Sequence, residues 1–180
     1  MVALAIGLAL ALPNASTGAK RPRFAPEFPS QEPSRWIGSP QSMAGLRGRV
    51  VLLDVWTFDC INCVRTIPWL KDVLQRYQAR GLTLVGVHTP EFDHERSRAT
   101  VASRARTHGL DFSHFVDNDY QYWNALDNQY WPAIHLVDRC GQLRGSATGE
   151  VHAKEATGRR LEQAIESLLA ETPLHCGAPK

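Results

Sequence analysis

The chain has 180 residues, a one-domain length, with 43% hydrophobic and 21% charged residues, the balance of a globular protein that buries a real core. A formal net charge of +2, with no Lys/Arg stripe alternating with aromatics, argues against a nucleic-acid-binding surface. Cys60, Cys63, Cys140 and Cys176 are too few for a disulfide scaffold and suit one active pair plus one structural option.

Val2 to Leu12 is an almost unbroken apolar run, too short to cross a bilayer and the right length for the hydrophobic part of a signal peptide. Thr17-Gly18-Ala19 offers small side chains for cleavage after Ala19, but no basic residues precede the run. Residues 1–19 therefore read as a signal peptide or N-terminal anchor, with a buried helix as the competing reading. The expected location is the periplasm or the cell exterior. Residues 20–35 hold Pro22, Pro26, Pro29 and Pro33 and read as an extended linker, with the folded domain spanning 36–171 and a tail at 172–180.

Val50 to Trp56 reads as a strand buried on both faces. Val64, Ile67, Leu70, Val73, Leu74 and Tyr77 recur at helical spacing before Gly81 stops the helix. Leu82 to Val87 is a second buried strand, and Asp93 can cap a helix that ends near His108 and Gly109. A short strand over Ser113–Val116 and a small aromatic-rich helix over Tyr120–Leu126 follow. Ala133–Val137 and Gln142–Ala147 form a hairpin, and a last helix runs from about Lys154 to Ala170. The order predicts an α/β fold with a central mixed sheet flanked by helices.

Cys60-Ile61-Asn62-Cys63 sits where a buried strand gives way to a helix. Thiols at that spacing on a first helical turn can close a small disulfide ring, and free N–H groups with the helix dipole favour a thiolate there. Cys60 is expected to attack, and Cys63 to resolve the mixed disulfide from below. A zinc half-site has the same spacing, but the strand-to-helix context favours redox chemistry.

The stretch resembles the active site of the thioredoxin superfamily. Leu46 to Trp56 is similar to the lead-in of exported TlpA-like thiol oxidoreductases. The longer match runs through the cysteines, Gly86-Val87-His88-Thr89-Pro90-Glu91-Phe92, Asp117-Asn118-Asp119-Tyr120 and Tyr130-Trp131-Pro132-Ala133. It resembles the thioredoxin-like domain attached to DipZ proteins. The resemblance implies a thioredoxin-like fold, Cys60 as nucleophile and Cys63 as resolving thiol. It also implies that Asp54 is a buried acid moving the resolving thiol's proton, and Pro132 a cis-proline facing the cysteines. Pro68 matches a helix kink. DipZ proteins fuse this domain to a membrane electron-transfer module, so a separate membrane thiol carrier is implied as donor here. The redox pair would serve with no other cofactor and no metal, on protein disulfides that include apocytochromes before haem attachment. Nothing in the sequence decides the oligomeric state.

Several positions depart from the usual pattern. Asp59, where Trp is common, opposes ionisation of the neighbouring thiol, and Arg65 is expected to offset part of this. No proline or histidine lies between the cysteines, which leans towards a reductant. Trp131 is expected to wall a substrate groove bordered by Asp59, Ile61 and Asn62, with Trp56 as packing beneath. Tyr120, Tyr122, Trp123 and Tyr130 read as core, and Arg96, Arg98, Arg104 and Arg106 as a solvated helix face. His88 and Glu91 are minor candidates at a strand's carboxyl end. Cys140 and Cys176 can pair, or join His175 as metal ligands. An oxidase or isomerase of the same fold is the main alternative function. A thiol peroxidase has Thr57 in its favour, but Leu53 stands where that pattern needs proline.

Overall fold

Val50–Trp56 forms the central strand β2, and all its residues are buried. In this computed structural model, which describes residues 23–172 and Cys176, β2 pairs in parallel with β3 (Leu82–His88) and antiparallel with β5 (Ala133–Val137). Beyond β3 lie β4 (His114–Val116) and the two-residue β1 (Trp36–Ile37), and beyond β5 lies β6 (Leu143–Thr148). The order β1-β4-β3-β2-β5-β6 makes one mixed sheet. Four helices complete the described residues: α1 (Ile61–Tyr77), α2 (Arg98–His108), α3 (Gln121–Ala125) and α4 (Ala156–Ala170).

Because side chains alternate along a strand, β2 serves two layers at once. Val51, Leu53 and Val55 pack with Phe28, Trp36, Phe115, Tyr122 and Trp123. Val50 and Leu52 face the opposite layer, where Leu70 and Val73 of α1 meet Leu161, Ile165 and Leu168 of α4. A third cluster, Trp56, Phe58, Ile67, Val101 and Ala105, closes around Cys63 at the carboxyl end of β2. This cluster seats the start of α1 on the sheet.

The structure corrects several expectations. The segment before Trp36 is no free linker: Phe28 is 4% exposed and stacks on Tyr122 at 4.4 Å, while Phe24 bridges to Gln142. Aromatic burial holds it against the sheet, and Pro33 opens a short 3₁₀ turn, Pro33–Arg35, just before Trp36. The predicted helix from Asp93 is divided into a 3₁₀ turn, Asp93–Arg96, and α2. Ser97 between them is extended and caps α2 by accepting the Thr100 N–H. Arg98 is more than a solvated side chain, since its guanidinium donates to the Trp36 carbonyl at 2.6 and 2.9 Å and so satisfies the sheet edge. Tyr130, expected in the core, is 63% exposed.

Cys140 and Cys176 form a disulfide across 36 residues, fastening the C-terminal segment to the β5–β6 hairpin. Closing a loop of that length stabilises a domain by up to about 4 kcal/mol through the unfolded chain. The expected signal segment, residues 1–19, and His175 lie outside the described residues. Among the described residues, no helix is long and apolar enough to cross a membrane.

Candidate active site

The strand-to-helix transition places Cys60 at the N-cap of α1. Its backbone is extended (φ −75°, ψ 108°), and its Sγ accepts the Cys63 N–H at 3.3 Å. The sulfur thereby takes the position of a capping oxygen and satisfies a helix-terminal donor. Cys63, three residues on, is buried, while Cys60 is only partly buried; neither is disulfide-bonded in this structure.

Their environments drive the two thiols apart. A hydrogen bond from the Cys63 side chain, aided by the Cys63 and Asn62 amides, brings the Cys60 thiol down to about 7 against the opposition of burial and Glu91. Burial raises Cys63 far above the ordinary thiol range, reinforced by its bond to Cys60 and the nearby charges of Cys60 and Asp54, with the Thr57 N–H acting the other way. Asp54 is 2% exposed in the middle of the sheet, paired in register with Gly86 and Ile134. Burial, and then the Cys60 charge, push its carboxyl up to about 7. The arrangement offers an accessible thiolate near neutral pH, a protected thiol behind it and a carboxyl able to exchange a proton in the same range.

The Trp131–Pro132 peptide is cis and opens β5 beside β2. Trp131 is partly buried: its indole donates to the Thr89 carbonyl at 3.0 Å and packs on Trp123 at 4.2 Å. It borders both the Phe28 layer and the cluster around Cys63. Trp56 lies in the core as expected, donating to His114 Nδ1 at 3.2 Å. Ile61 (59% exposed), Phe92 (53%) and Tyr130 (63%) are the exposed large hydrophobics among the described residues. Each belongs to a segment that borders the thiols or Pro132.

Asp59 is answered by a different partner from the one expected. Its Oδ2 lies 2.6 Å from His94 Nε2, whereas Arg65 reaches Glu150 at 3.6 Å. Sequence reasoning also missed Glu95, a buried carboxylate. Glu95 Oε1 accepts the Thr57 hydroxyl and the Asp59 N–H, and Oε2 accepts the Glu91 and Phe92 N–H groups. Burial alone would raise its carboxyl, but these hydrogen bonds win and hold it below the usual carboxylate range. Its D-H-E setting in Asp93-His94-Glu95-Arg96 looks like ordinary surface charge, so only the fold reveals its burial.

His88 completes this cluster. It is fully buried, and burial lowers it to about 4, so the ring is neutral. The Thr57 hydroxyl gives its one proton to Glu95, so it accepts from His88 Nε2–H at 3.2 Å. Asp59, His94 and Glu95 present potential metal-ligand atoms within 4.8 Å of one another. Both Glu95 oxygens are already occupied by donors, leaving one carboxylate and one imidazole where a structural zinc takes four ligands.

Comparison with known proteins agrees with this geometry. Residues 22–146 match the AhpC/TSA family. The chain is 40% identical over 119 residues to protein DipZ of Mycobacterium bovis, covering 64% of this chain and 17% of that protein, so it spans a small part of that relative. It is 28% identical over 138 residues to the thiol-disulfide oxidoreductase YkuV of Bacillus subtilis, covering 76% of this chain and 89% of that one. A thioredoxin-like protein solved in solution in its oxidised form superimposes with a TM-score of 0.72 at 27% identity, over 86% of this chain and 99% of the other. The chain belongs to the AhpC/TSA family and has a thioredoxin-like fold.

Proposed function

We propose that the chain is an exported dithiol reductase acting on protein disulfides through Cys60 and Cys63. The observation that carries this reading is the division of the thiols: Cys60 only partly buried and lowered to about 7, Cys63 buried and raised beside Asp54. The Cys60 thiolate attacks one sulfur of the client disulfide, forming a mixed disulfide and releasing the first client thiolate. Asp54 takes the Cys63 proton, and the Cys63 thiolate attacks Cys60 Sγ. The second client thiolate leaves, and the chain ends as the Cys60–Cys63 disulfide. A thiol donor then returns two electrons by the reverse exchange, and the redox pair needs no further cofactor. Pro132 and Trp131 border the client's approach, together with Asp59, Ile61 and Asn62.

Export is supported by the apolar run Val2–Leu12 and by the Cys140–Cys176 disulfide, a bond that persists in oxidising compartments. A membrane thiol carrier is the class of donor suited to that side of a membrane. Apocytochrome disulfides, reduced before haem attachment, are the first client class to try. The Thr57 hydroxyl is committed to Glu95 and His88, which leaves the peroxidase alternative without its activating contact.

Equilibration against glutathione buffers, followed by tryptophan fluorescence, tests the reading. A reversible two-electron transition at or below about −220 mV supports a reductant, and one near about −120 mV makes the protein a disulfide donor. A transition that survives Cys60→Ser unchanged removes the redox assignment.

A further inference from the structure

Two turns converge on the thiols without carrying either one. Thr57-Phe58-Asp59 leads from β2 into Cys60, and Pro90-Glu91-Phe92 follows β3. Glu95 is the side chain that joins them. One carboxylate oxygen takes both donors of the first turn, the Thr57 hydroxyl (2.5 Å) and the Asp59 amide (3.2 Å). The other takes both donors of the second, the Glu91 amide (2.6 Å) and the Phe92 amide (2.9 Å).

The first turn bears on both sulfurs. The Thr57 backbone counters the rise of the Cys63 thiol, and the Asp59 amide immediately precedes the Cys60 N-cap. The second turn carries Glu91, whose charge opposes Cys60 ionisation. Four donors directed at one buried group need an acceptor at every contact, which a carboxylate provides and an amide does not. The neighbouring charged and titratable groups are His88 from β3, Asp59 with His94, Glu91, and Asp54 beneath the thiols.

We propose that Glu95 is a positioning residue for the Cys60–Cys63 pair, clamping the Thr57–Asp59 turn to the Glu91–Phe92 turn and so holding the donors that set thiol reactivity. The proposal rests on the thiol–disulfide reading. Glu95 touches neither sulfur and acts through Thr57 and Asp59. In Glu95→Gln one side of the clamp must face an NH₂ group, so the turn relaxes and the Cys60 thiolate loses support. A role limited to negative charge predicts the reverse, because removing an anion near the site makes the thiolate easier to form.

The test is the pH midpoint of Cys60 alkylation by iodoacetamide in the reduced protein, with circular dichroism confirming the fold. Glu95→Gln should move the midpoint upwards by up to about one unit, lowering the rate below the midpoint by up to about tenfold. Thr57→Val, which removes one clamp donor and keeps the side-chain shape, should move it in the same direction by less. Thr57→Ser should restore it. If Glu95→Gln does not fold, the Thr57 pair decides the question. An unchanged or lowered midpoint in a folded variant overturns the proposal. A wild-type protein without a low-midpoint thiol or a reversible couple would instead remove the underlying redox reading.

Discussion

Cys60 Sγ accepts the backbone N–H of Cys63 at 3.3 Å, so one thiol of the pair caps the helix that carries the other. The Cys63 side chain is also the largest influence lowering Cys60. Cys63→Ala removes the side-chain donor and keeps the amide. The pH midpoint of Cys60 alkylation should therefore rise from about 7 towards the ordinary thiol value of about 8.5. Cys63→Ser, which keeps a donor, should remain nearer the wild type. Rates measured across the pH range check both; an unmoved midpoint in Cys63→Ala would assign the acidity to the helix terminus alone.

The Asp59–His94 pair sits one residue before Cys60 and is largely in water, with side chains 43% and 60% exposed. His94→Ala leaves the carboxylate unanswered and should raise the Cys60 midpoint, whereas Asp59→Asn should lower it. Solvent screening limits each shift to a few tenths of a pH unit, and about 0.5 M salt should shrink both. Alkylation profiles at two ionic strengths measure this. Shifts that survive high salt would mean that the substitutions disturb the turn rather than the local field.

The parts of the fold legible in sequence are those fixed by continuous apolar burial or by a local stop. Val50–Trp56 and Ala133–Val137 occupy the expected residues because both faces of each strand are covered. Gly81, at φ +105°, ends the first helical segment as read. Trp36–Ile37 is a strand only because Phe115 and His114 pair with it, and no local pattern announces that. Phe28 is one aromatic in a proline-rich stretch, so composition suggests a linker although its ring anchors a layer. Cys60 and Cys63 are visible because the spacing itself carries chemistry. Glu95 and His94 are not, since their partners Thr57 and Asp59 lie 38 and 35 residues away.

Asp54 should couple stability to pH. Its folded carboxyl is raised to about 7 against an ordinary value near 4, so the native state holds this proton more tightly than the unfolded chain does. The contribution is therefore most favourable below the unfolded value and is lost as pH rises through about 7. Asp54→Asn should stabilise the reduced protein by a few kcal/mol above neutrality, with the gain shrinking on acidification. By the proposed mechanism the same substitution should slow resolution of the mixed disulfide, because it removes the carboxyl assigned to take the Cys63 proton. Urea unfolding at about pH 5 and about pH 8 separates this from simple repacking, which would give the same change at both.

Gly86 sets a steric condition beneath the site. A Cβ there would meet His114 Nδ1 at 1.9 Å, far inside contact distance. His114 has little freedom to withdraw: it is fully buried, its Nδ1 accepts the Trp56 indole N–H at 3.2 Å, and its Nε2–H donates to the Leu110 carbonyl at 3.3 Å. Gly86→Ala should therefore destabilise the protein by about 2–3 kcal/mol, lowering Tm by roughly 5–10 °C. Gly145→Ala in β6, where a Cβ meets nothing within 4 Å, is the matched control and should leave Tm nearly unchanged. Adding His114→Ala to Gly86→Ala vacates the space the new methyl needs, so the double variant should lose less than the sum of the single losses. Simple additivity would show that the strain at Gly86 is relieved elsewhere and that His114 is not the group the glycine accommodates.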